Sequence, residues 1–437
     1  MKGRKQSGGS WYVPRPAAWT GLGLSTQVRG RLDQFEFFLA GATVFLAPIN
    51  TLRHPAFYLT LSDVLAATCL FVMLLNRSLP VRPFGTVTFW WMLGNVMLIG
   101  GLLVSSLVNG DVTRGLVVSA QYSAAYFAIP FVIMSRPRWQ IEILAKIFVL
   151  VIVLLCLHGV YVIHYVGETS TQYVSGNGRL MSFMERTNNF AAVIAMTFPL
   201  LFWLAEEGRI RRLTVCIAVP ILVYGAMLTG SNSGMMGMTY AFGIYLLVTI
   251  SHSLRQIALA FAGVTGAVAA LAIWGKAILP AVFQRRVLGA IETGDIDQAG
   301  TFSHRYDLIM EALQVVDDTI LFGLGADQYR VLSQWKHPVH NAYLLIWAEG
   351  GLIAVIGLLL VIVSGLLMLP GTMHRPRGRY AAICTFCVVT QFAFLINATP
   401  HIYARFWPIP LLLGIAVSVS STQGRASPGR SGGVAGN

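Results

Sequence analysis

The run from Ala342 to Leu369 constrains this chain more than any other stretch. It carries a single charge, Glu349, and is long enough to cross a bilayer core of roughly 30 Å. Comparable apolar runs recur near 35–52, 57–75, 87–108, 115–134, 141–166, 189–205, 213–228, 235–250, 257–274, 380–398 and 406–421. With 341–369 they make twelve expected spans. The fold class that follows is an all-α polytopic membrane protein of about twelve transmembrane helices. Composition agrees: 55% of the 437 residues are apolar, 11% are charged, and the mean hydropathy is +0.66.

A net charge of +13 would point to nucleic acid in a soluble domain. Here the basic residues sit in short segments between apolar runs, where they report topology, and no nucleic-acid partner is expected. Nineteen of the 31 Lys and Arg fall on one set of alternate segments, against five in the short segments of the other set. That bias places both termini in the cytoplasm. Residues 1–34 form a basic tail without an apolar signal core, 35–421 the transmembrane domain, and 422–437 a second cytoplasmic tail. Residues 275–340 form a large periplasmic loop before the tenth span, and His340 faces the periplasm. All five cysteines lie in spans; Cys384 and Cys387 have CxxC spacing without a second pair, which reads as helix packing.

The polar residues that need a reason gather on that outer face. His337-Pro338-Val339-His340-Asn341 opens the tenth span. The segment Gly167 to Asn189 holds a Gly/Asn-rich turn with Arg179 and Arg186. In the long loop Ser303 is expected to cap an amphipathic helix with Arg305 in its first turn and an apolar stripe of Leu308, Ile309, Ala312, Leu313 and Val316. Gly323-Leu324-Gly325 is expected to end it. Together with the turn Thr229-Gly230-Ser231-Asn232-Ser233-Gly234, these residue types suit an anionic, hydroxyl-rich ligand such as a phosphate-bearing glycan. Guanidinium groups fork onto phosphate oxygens, amides and serines bond sugar hydroxyls, and a neutral imidazole takes a hydroxyl proton.

Plainer readings stand beside several of these. His337 also shapes the turn before Pro338, Asn341 also caps the helix that follows, and Arg285-Arg286 read better as headgroup anchors than as ligands. Glu349 is nine residues past His340 and on the opposite helix face, so the two are not a catalytic pair in one straight helix. For Glu349 and Asp63 a functional role and a buried hydrogen-bonding role are both open. No HExxH, Walker, GxSxG or Asp-rich metal motif occurs. Metal-independent chemistry without a cofactor is the simpler expectation.

These residues resemble the bacterial O-antigen ligase and polymerase family. The likeness rests on Gly323-Leu324-Gly325, then His340-Asn341-Ala342-Tyr343-Leu344, then Glu349-Gly350-Gly351-Leu352. Gly178-Arg179-Leu180 with Asn188-Asn189, and Ser303-His304-Arg305, support it. The resemblance implies a GT-C-like glycosyltransferase of the inner membrane with a periplasmic active site. Its implied substrates are an undecaprenyl diphosphate-linked glycan donor and a glycan or lipid A-core acceptor, with a chain-length regulator as a further candidate partner. Carried over by motif, His340 is the base that activates the acceptor, Arg305 steadies the leaving diphosphate, and Arg179 is a second donor contact. Arg186, Asn188, Asn232, His337 and Asn341 complete the expected substrate-binding set. The chain departs from the family at Asn232, where an arginine is usual, and Arg186 is the expected substitute. Polymerase of O-antigen or exopolysaccharide is preferred over O-antigen ligase, and a transporter of polysaccharide or lipid-linked sugar is the alternative of another class.

Overall fold

The computed structural model describes residues 26–54, 59–134, 136–167, 169–250, 279–294, 302–375 and 378–423, together with isolated positions between 258 and 300. Its helices are α1 (Thr26–Leu46), α2 (Leu61–Leu75), α3 (Thr88–Val108), α4 (Val112–Ile133), α5 (Arg138–Val166) and α6 (Thr187–Glu206). They continue with α7 (Arg212–Thr229), α8 (Asn232–Ile250), α9 (Phe302–Asp318), α10 (Ala342–Leu366), α11 (Gly378–Leu395) and α12 (Pro408–Gln423). Seven of the described helices are individually long and apolar enough to cross a membrane, and the protein is an all-α polytopic membrane protein. The ninth expected span, 257–274, lies largely outside the described residues, as do 1–25 and 424–437 of the two expected tails. α1 is already helical at Thr26, well ahead of the boundary at 35 read from the apolar run.

The connections that the sequence groups on one side gather at one end of the bundle. The α1–α2 connection meets the α5–α6 connection there through Asn50 N–H to the Phe183 carbonyl (2.9 Å) and an Arg53–Glu185 ion pair (2.9 Å). Asp63, in the first turn of α2, forms a buried ion pair with Arg405 of the α11–α12 connection. At the opposite end Arg136 pairs with Glu36 (3.3 Å), Arg138 with Glu207 (2.7 Å) and Arg209 with Glu142 (3.0 Å). Each of these carboxylates is largely withdrawn from solvent, and a charge so withdrawn is held by its partner. For Asp63 the ion pair and its capping bond to Thr60 are the buried hydrogen-bonding alternative left open for it. α6 runs through the centre, buried along nearly its whole length.

α10 packs most extensively on α3, and small residues make the approach close. Gly94 and Gly101 on α3 face Gly357 and Ala354 on α10, where an added Cβ would come within 2.8 Å of the partner helix. Further toward the site end α10 breaks. Gly351 has φ 71° and ψ −174°, so the helical hydrogen-bond ladder is interrupted about 13 Å below Ala342. The chain segment just past α9 fills the gap. Leu324 N–H bonds the Ala348 carbonyl (2.8 Å), Gly325 N–H the Glu349 carbonyl (2.9 Å), and Leu352 N–H the Ile320 carbonyl (2.9 Å). α3 holds the other side, with Ser105 Oγ accepting from Gly323 N–H (3.1 Å) and Ser106 Oγ from Ala326 N–H (2.9 Å). The Glu349 carboxylate accepts from Tyr329 N–H (3.3 Å), which is the hydrogen-bonding alternative left open for it.

Two expectations are corrected here. Residues 320–326 belong to the stretch expected to be a soluble loop, yet they are inserted between α3 and α10, because a broken membrane helix must have its backbone groups paired within the protein. Ser303 does not cap α9: it lies inside the helix, which already includes Phe302, and both the N–H and the hydroxyl of Ser303 donate to Asp297 (3.0 and 2.7 Å). Of the apolar stripe, Leu308, Ala312 and Val316 are buried against Tyr329, Val339, Leu345 and Ala348, which docks α9 on the start of α10. Leu313 is 39% exposed and Ile309 is half-buried, so the stripe is narrower than the sequence pattern implies.

The break sets up a substitution test. A Cβ at Gly351 would sit 2.0 Å from the Leu321 carbonyl oxygen and would hold a side chain at positive φ. Gly351→Ala should lower the thermal unfolding temperature of the purified protein by several degrees, about 1–2 kcal/mol from backbone strain alone. Gly100→Ala, with nothing within 4 Å of the added carbon, should not lower it. Equal melting of the two variants would show that the insertion is not what holds α10.

Candidate active site

The site is built from the start of α10 upward. Asn341 caps the helix, its side-chain oxygen accepting from Tyr343 N–H (3.0 Å) and Leu344 N–H (3.2 Å), while its amide donates to Asn397 Oδ1 (3.3 Å). The chain therefore enters α10 at a fixed angle, and His340 is set at the rim. His340 Nδ1 lies 3.1 Å from the Pro338 carbonyl. A carbonyl only accepts, so Nδ1 carries the proton and Nε2 keeps a lone pair, the tautomer a base needs. Burial first, then the Arg305 charge, pushes the imidazole down to about 4, with Arg186 and His337 adding to the effect and the Pro338 carbonyl opposing it. Burial first, and the neighbouring cations second, thus keep the imidazole neutral, the form that can take a hydroxyl proton.

His340 and Arg305 line one cavity of about 760 Å³ together with Phe302, Tyr306, Asp307 and Asn397. Arg305 projects from the first turn of α9, and its Nε is buried with no hydrogen-bond partner. Burial lowers its pKa, as it does for a cation waiting for an anion.

A second group of cations lies next to this cavity. Arg179 donates from Nε to the Thr229 carbonyl (2.8 Å) and from its terminal nitrogen to Asn188 Oδ1 (3.1 Å), so Asn188 holds the arginine in place. Burial, then Arg286 and Arg305, lowers Arg179 to about 10. Arg286 is depressed by burial and then by Arg305, and its Cδ is 3.3 Å from where a Gly230 Cβ would be. Asn232 starts α8 just past that turn. Arg285 donates to the Asn177 carbonyl (2.8 Å). Of the pair read from sequence as headgroup anchors, Arg285 is thus engaged with the Gly/Asn-rich turn at Asn177 and Arg286 lies against the turn before Asn232. Arg186 is exposed at the start of α6, where its charge is felt by His340, and His337 is exposed at the rim.

Sequence reasoning missed two residues. Asn397 bonds Asn341 and lines the cavity. His401, in the connection that Arg405 ties to Asp63, packs its ring 5.4 Å from that of Tyr403. Burial, then Arg186, pushes His401 down to about 4, and His340 is among the groups whose charge it feels. The available signal was a histidine after Thr399-Pro400 in the short segment between the last two spans, on the same side as His340.

A cavity with a neutral imidazole and a buried guanidinium, set at the end of a bundle of membrane helices, defines a membrane protein equipped to handle an anionic substrate. A family model described as O-antigen ligase matches residues 217–362, a stretch that runs from α7 through the Asn232 turn, Arg286 and Arg305 to His340 and the broken α10. That match supports the O-antigen ligase and polymerase family for this chain, and with it a glycan-transfer role in O-antigen assembly. Comparison with curated proteins found no match.

The cap gives a stability test. Asn341→Ala leaves two N–H groups of α10 without their acceptor and should cost about 1 kcal/mol in the unfolding free energy, whereas Asn341→Asp should cost a few tenths at most. Equal losses in both variants would assign the stabilisation to the Asn397 contact instead.

Proposed function

We propose that this protein transfers a glycan from an undecaprenyl diphosphate-linked donor to an acceptor hydroxyl. The proposed setting is the periplasmic face of the bacterial inner membrane, with both termini cytoplasmic. The observation that carries the reading is that His340, with its Nε2 lone pair, and Arg305 line the same cavity. The acceptor oxygen attacks the anomeric carbon and its proton passes to His340 Nε2. The bond from that carbon to the diphosphate oxygen breaks, and the departing diphosphate takes the electron pair. Arg305 stabilises the charge gathering on that oxygen, and Arg179 and Arg186 hold the remaining phosphate oxygens. Because diphosphate is already a good leaving group, positioning and charge stabilisation carry most of the work.

Among the described residues no three His, Cys, Asp or Glu side chains are grouped to hold a metal ion, and the chemistry is proposed to need none. Polymerase of O-antigen or exopolysaccharide is the preferred form, with O-antigen ligase onto lipid A-core requiring the same base and guanidiniums. A transporter of lipid-linked sugar would want its broken helix to border an open path. Here the break in α10 is filled by residues 320–326.

Orientation is checked by labelling. A cysteine introduced at the exposed Gln334, in a background without other cysteines, should react with a membrane-impermeant maleimide in intact cells whose outer membrane is permeabilised. Labelling only after lysis would reverse the topology and the catalytic reading with it.

The base is checked by kinetics with purified protein and lipid-linked donor. His340→Ala should lower turnover by about 10²–10⁴, His337→Ala far less, and excess EDTA should leave the wild type unchanged. The acid limb of kcat/KM reports the free site and should fall near pH 4, since His340 is pushed down to about 4 there. The acid limb of kcat reports the occupied site. A bound diphosphate offsets the cations that disfavour the imidazolium, so that limb should lie at higher pH. In Arg305→Gln the residual kcat/KM should lose activity at higher pH than the wild type, because a positive neighbour has been removed. Near-normal turnover of folded His340→Ala, or an unmoved limb in Arg305→Gln, would remove His340 as the base.

A further inference from the structure

The transfer reading gives Arg286 no task, although the fold places its side chain closely. It belongs to a short helical segment, residues 281–288, docked across two turns of left-handed backbone. Gly178 has φ 74° and Gly230 φ 56°, and Val282 stands against both. A Cβ at Gly230 would come within 2.7 Å of the Val282 side chain and one at Gly178 within 3.6 Å. Arg285 fastens the same segment by donating to the Asn177 carbonyl (2.8 Å). Arg286 follows Val282 by four residues, about one turn on, so its stem is carried past the Gly230 turn. Arg179 approaches the same spot: the Gly230 Cβ position is 3.3 Å from Arg286 Cδ and 3.7 Å from Arg179 Nε. The head of Arg286 goes further. A Cβ at Gly300 would lie 3.5 Å from Arg286 Nη2 and 3.2 Å from the Phe302 ring, and Phe302 lines the cavity that holds Arg305 and His340. After burial, the charges felt at Arg286 are those of other arginines, Arg305 and then Arg285.

Resting on the reading of this site as one for a diphosphate-linked glycan, we infer that Arg286 is a further donor-binding residue, which joins Arg179 and Arg305 in holding the diphosphate. The three guanidiniums come from different parts of the chain: the α5–α6 connection, the 281–288 segment and α9. A guanidinium presents a planar fork to phosphate oxygens, and a diphosphate offers such oxygens on two phosphorus centres. A site built from three forks therefore favours a diphosphate over a single phosphate. The bilayer offers the rival source of phosphate, its lipid headgroups. Arg286 is half-buried and drawn along a protein turn to the edge of the cavity, whereas Arg285 beside it is exposed. That placement suits a ligand in the cavity better than a headgroup at the rim.

Isothermal titration of the full-length protein in phosphatidylcholine nanodiscs tests this without any transfer reaction. The probes are inorganic pyrophosphate and orthophosphate, with EDTA present to keep both free of metal. The wild type should bind pyrophosphate more tightly than orthophosphate. Arg286→Ala should lose about tenfold in pyrophosphate affinity, as for one charge-assisted contact, and much of the preference with it. Arg285→Ala removes an equal charge from the neighbouring residue and should change the affinity far less. If Arg286→Ala does not fold, Arg286→Lys reads the same contact: it keeps stem and charge but not the fork, and should lower the preference for pyrophosphate. Absence of pyrophosphate binding by the wild type would overturn the inference, as would equal affinity in wild type and Arg286→Ala or equal losses in Arg286→Ala and Arg285→Ala. Thermal unfolding of Arg286→Ala that departs from wild type only in phosphatidylglycerol discs, with pyrophosphate affinity unchanged, would make Arg286 a headgroup anchor. Arg286-dependent binding by a protein that transfers no glycan would keep this inference and remove the catalytic reading. Transfer with an unchanged donor KM in Arg286→Ala would do the reverse.

Discussion

A membrane helix that breaks partway across must have its freed backbone groups paired by protein, and the rest of this site depends on how that is done at Gly351. The chain's own segment, residues 320–326, donates to the Ala348 and Glu349 carbonyls and accepts from Leu352 N–H. It is the same segment that leaves α9, so pairing the break also anchors the helix that carries Arg305. Glu349 extends the anchoring by accepting from Tyr329 N–H, and Tyr329 in turn packs against Leu308 of α9. The loop arginine meets the histidine at the mouth of α10 because a fault deeper in α10 is filled from the loop. An unpaired amide or carbonyl in hydrocarbon costs several kcal/mol, which makes the docking far stronger than loop packing alone.

The electrostatics of the mouth follow from crowding like charges where water is scarce. Arg286 and Arg305 lower the proton affinity of Arg179, Arg305 lowers that of Arg286, and His340 is held neutral first by burial and then by the charges of Arg305 and Arg186. Without ligand the arrangement is self-repelling, and an anion relieves it. The buried, unpaired Nε of Arg305 has the same meaning at the level of one hydrogen bond. On the proposed reading this makes the base responsive to its substrate: it is weak while the site is empty and gains proton affinity once a diphosphate neutralises the guanidiniums around it.

The membrane architecture was legible because apolar runs are long and their physics is simple. Each predicted span that falls on described residues overlaps a helix, and seven of the described helices are long and apolar enough to cross a membrane. The site was legible where a residue type is expensive at its position: His340, Arg305 and Arg179 stood out as polar groups beside lipid. What the sequence concealed was register in space. Nothing in Gly323-Leu324-Gly325 says that it enters a cleft between two helices, since the signal for that is a helix break at Gly351, 26 residues later and visible only as a glycine pair. His401 and Asn397 were missed because they come from the end of α11 and the connection after it, which the buried Asp63–Arg405 pair, 342 residues apart in the chain, and the Asn341–Asn397 bond tie to the rest of the bundle.

The same distinction between sequence and space bears on Asn232. Its neighbours in the chain offer no cation, and the expected substitute was Arg186. Yet Arg186 starts α6 and its charge is felt at His340 and His401, whereas the side chain lying against the turn before Asn232 is that of Arg286. Arg179 reaches the same turn through the Thr229 carbonyl. A guanidinium needs only to present its fork within reach of an oxygen, and the helix that bears it is immaterial. On that ground Arg286 is the side chain positioned to supply charge at this turn, while the charge of Arg186 is felt at His340. On the proposed reading, charge at this turn is then borne by a residue of the loop in place of the arginine that the resemblance leads one to expect at 232. The cation becomes dependent on how the loop is docked, and so on the break in α10.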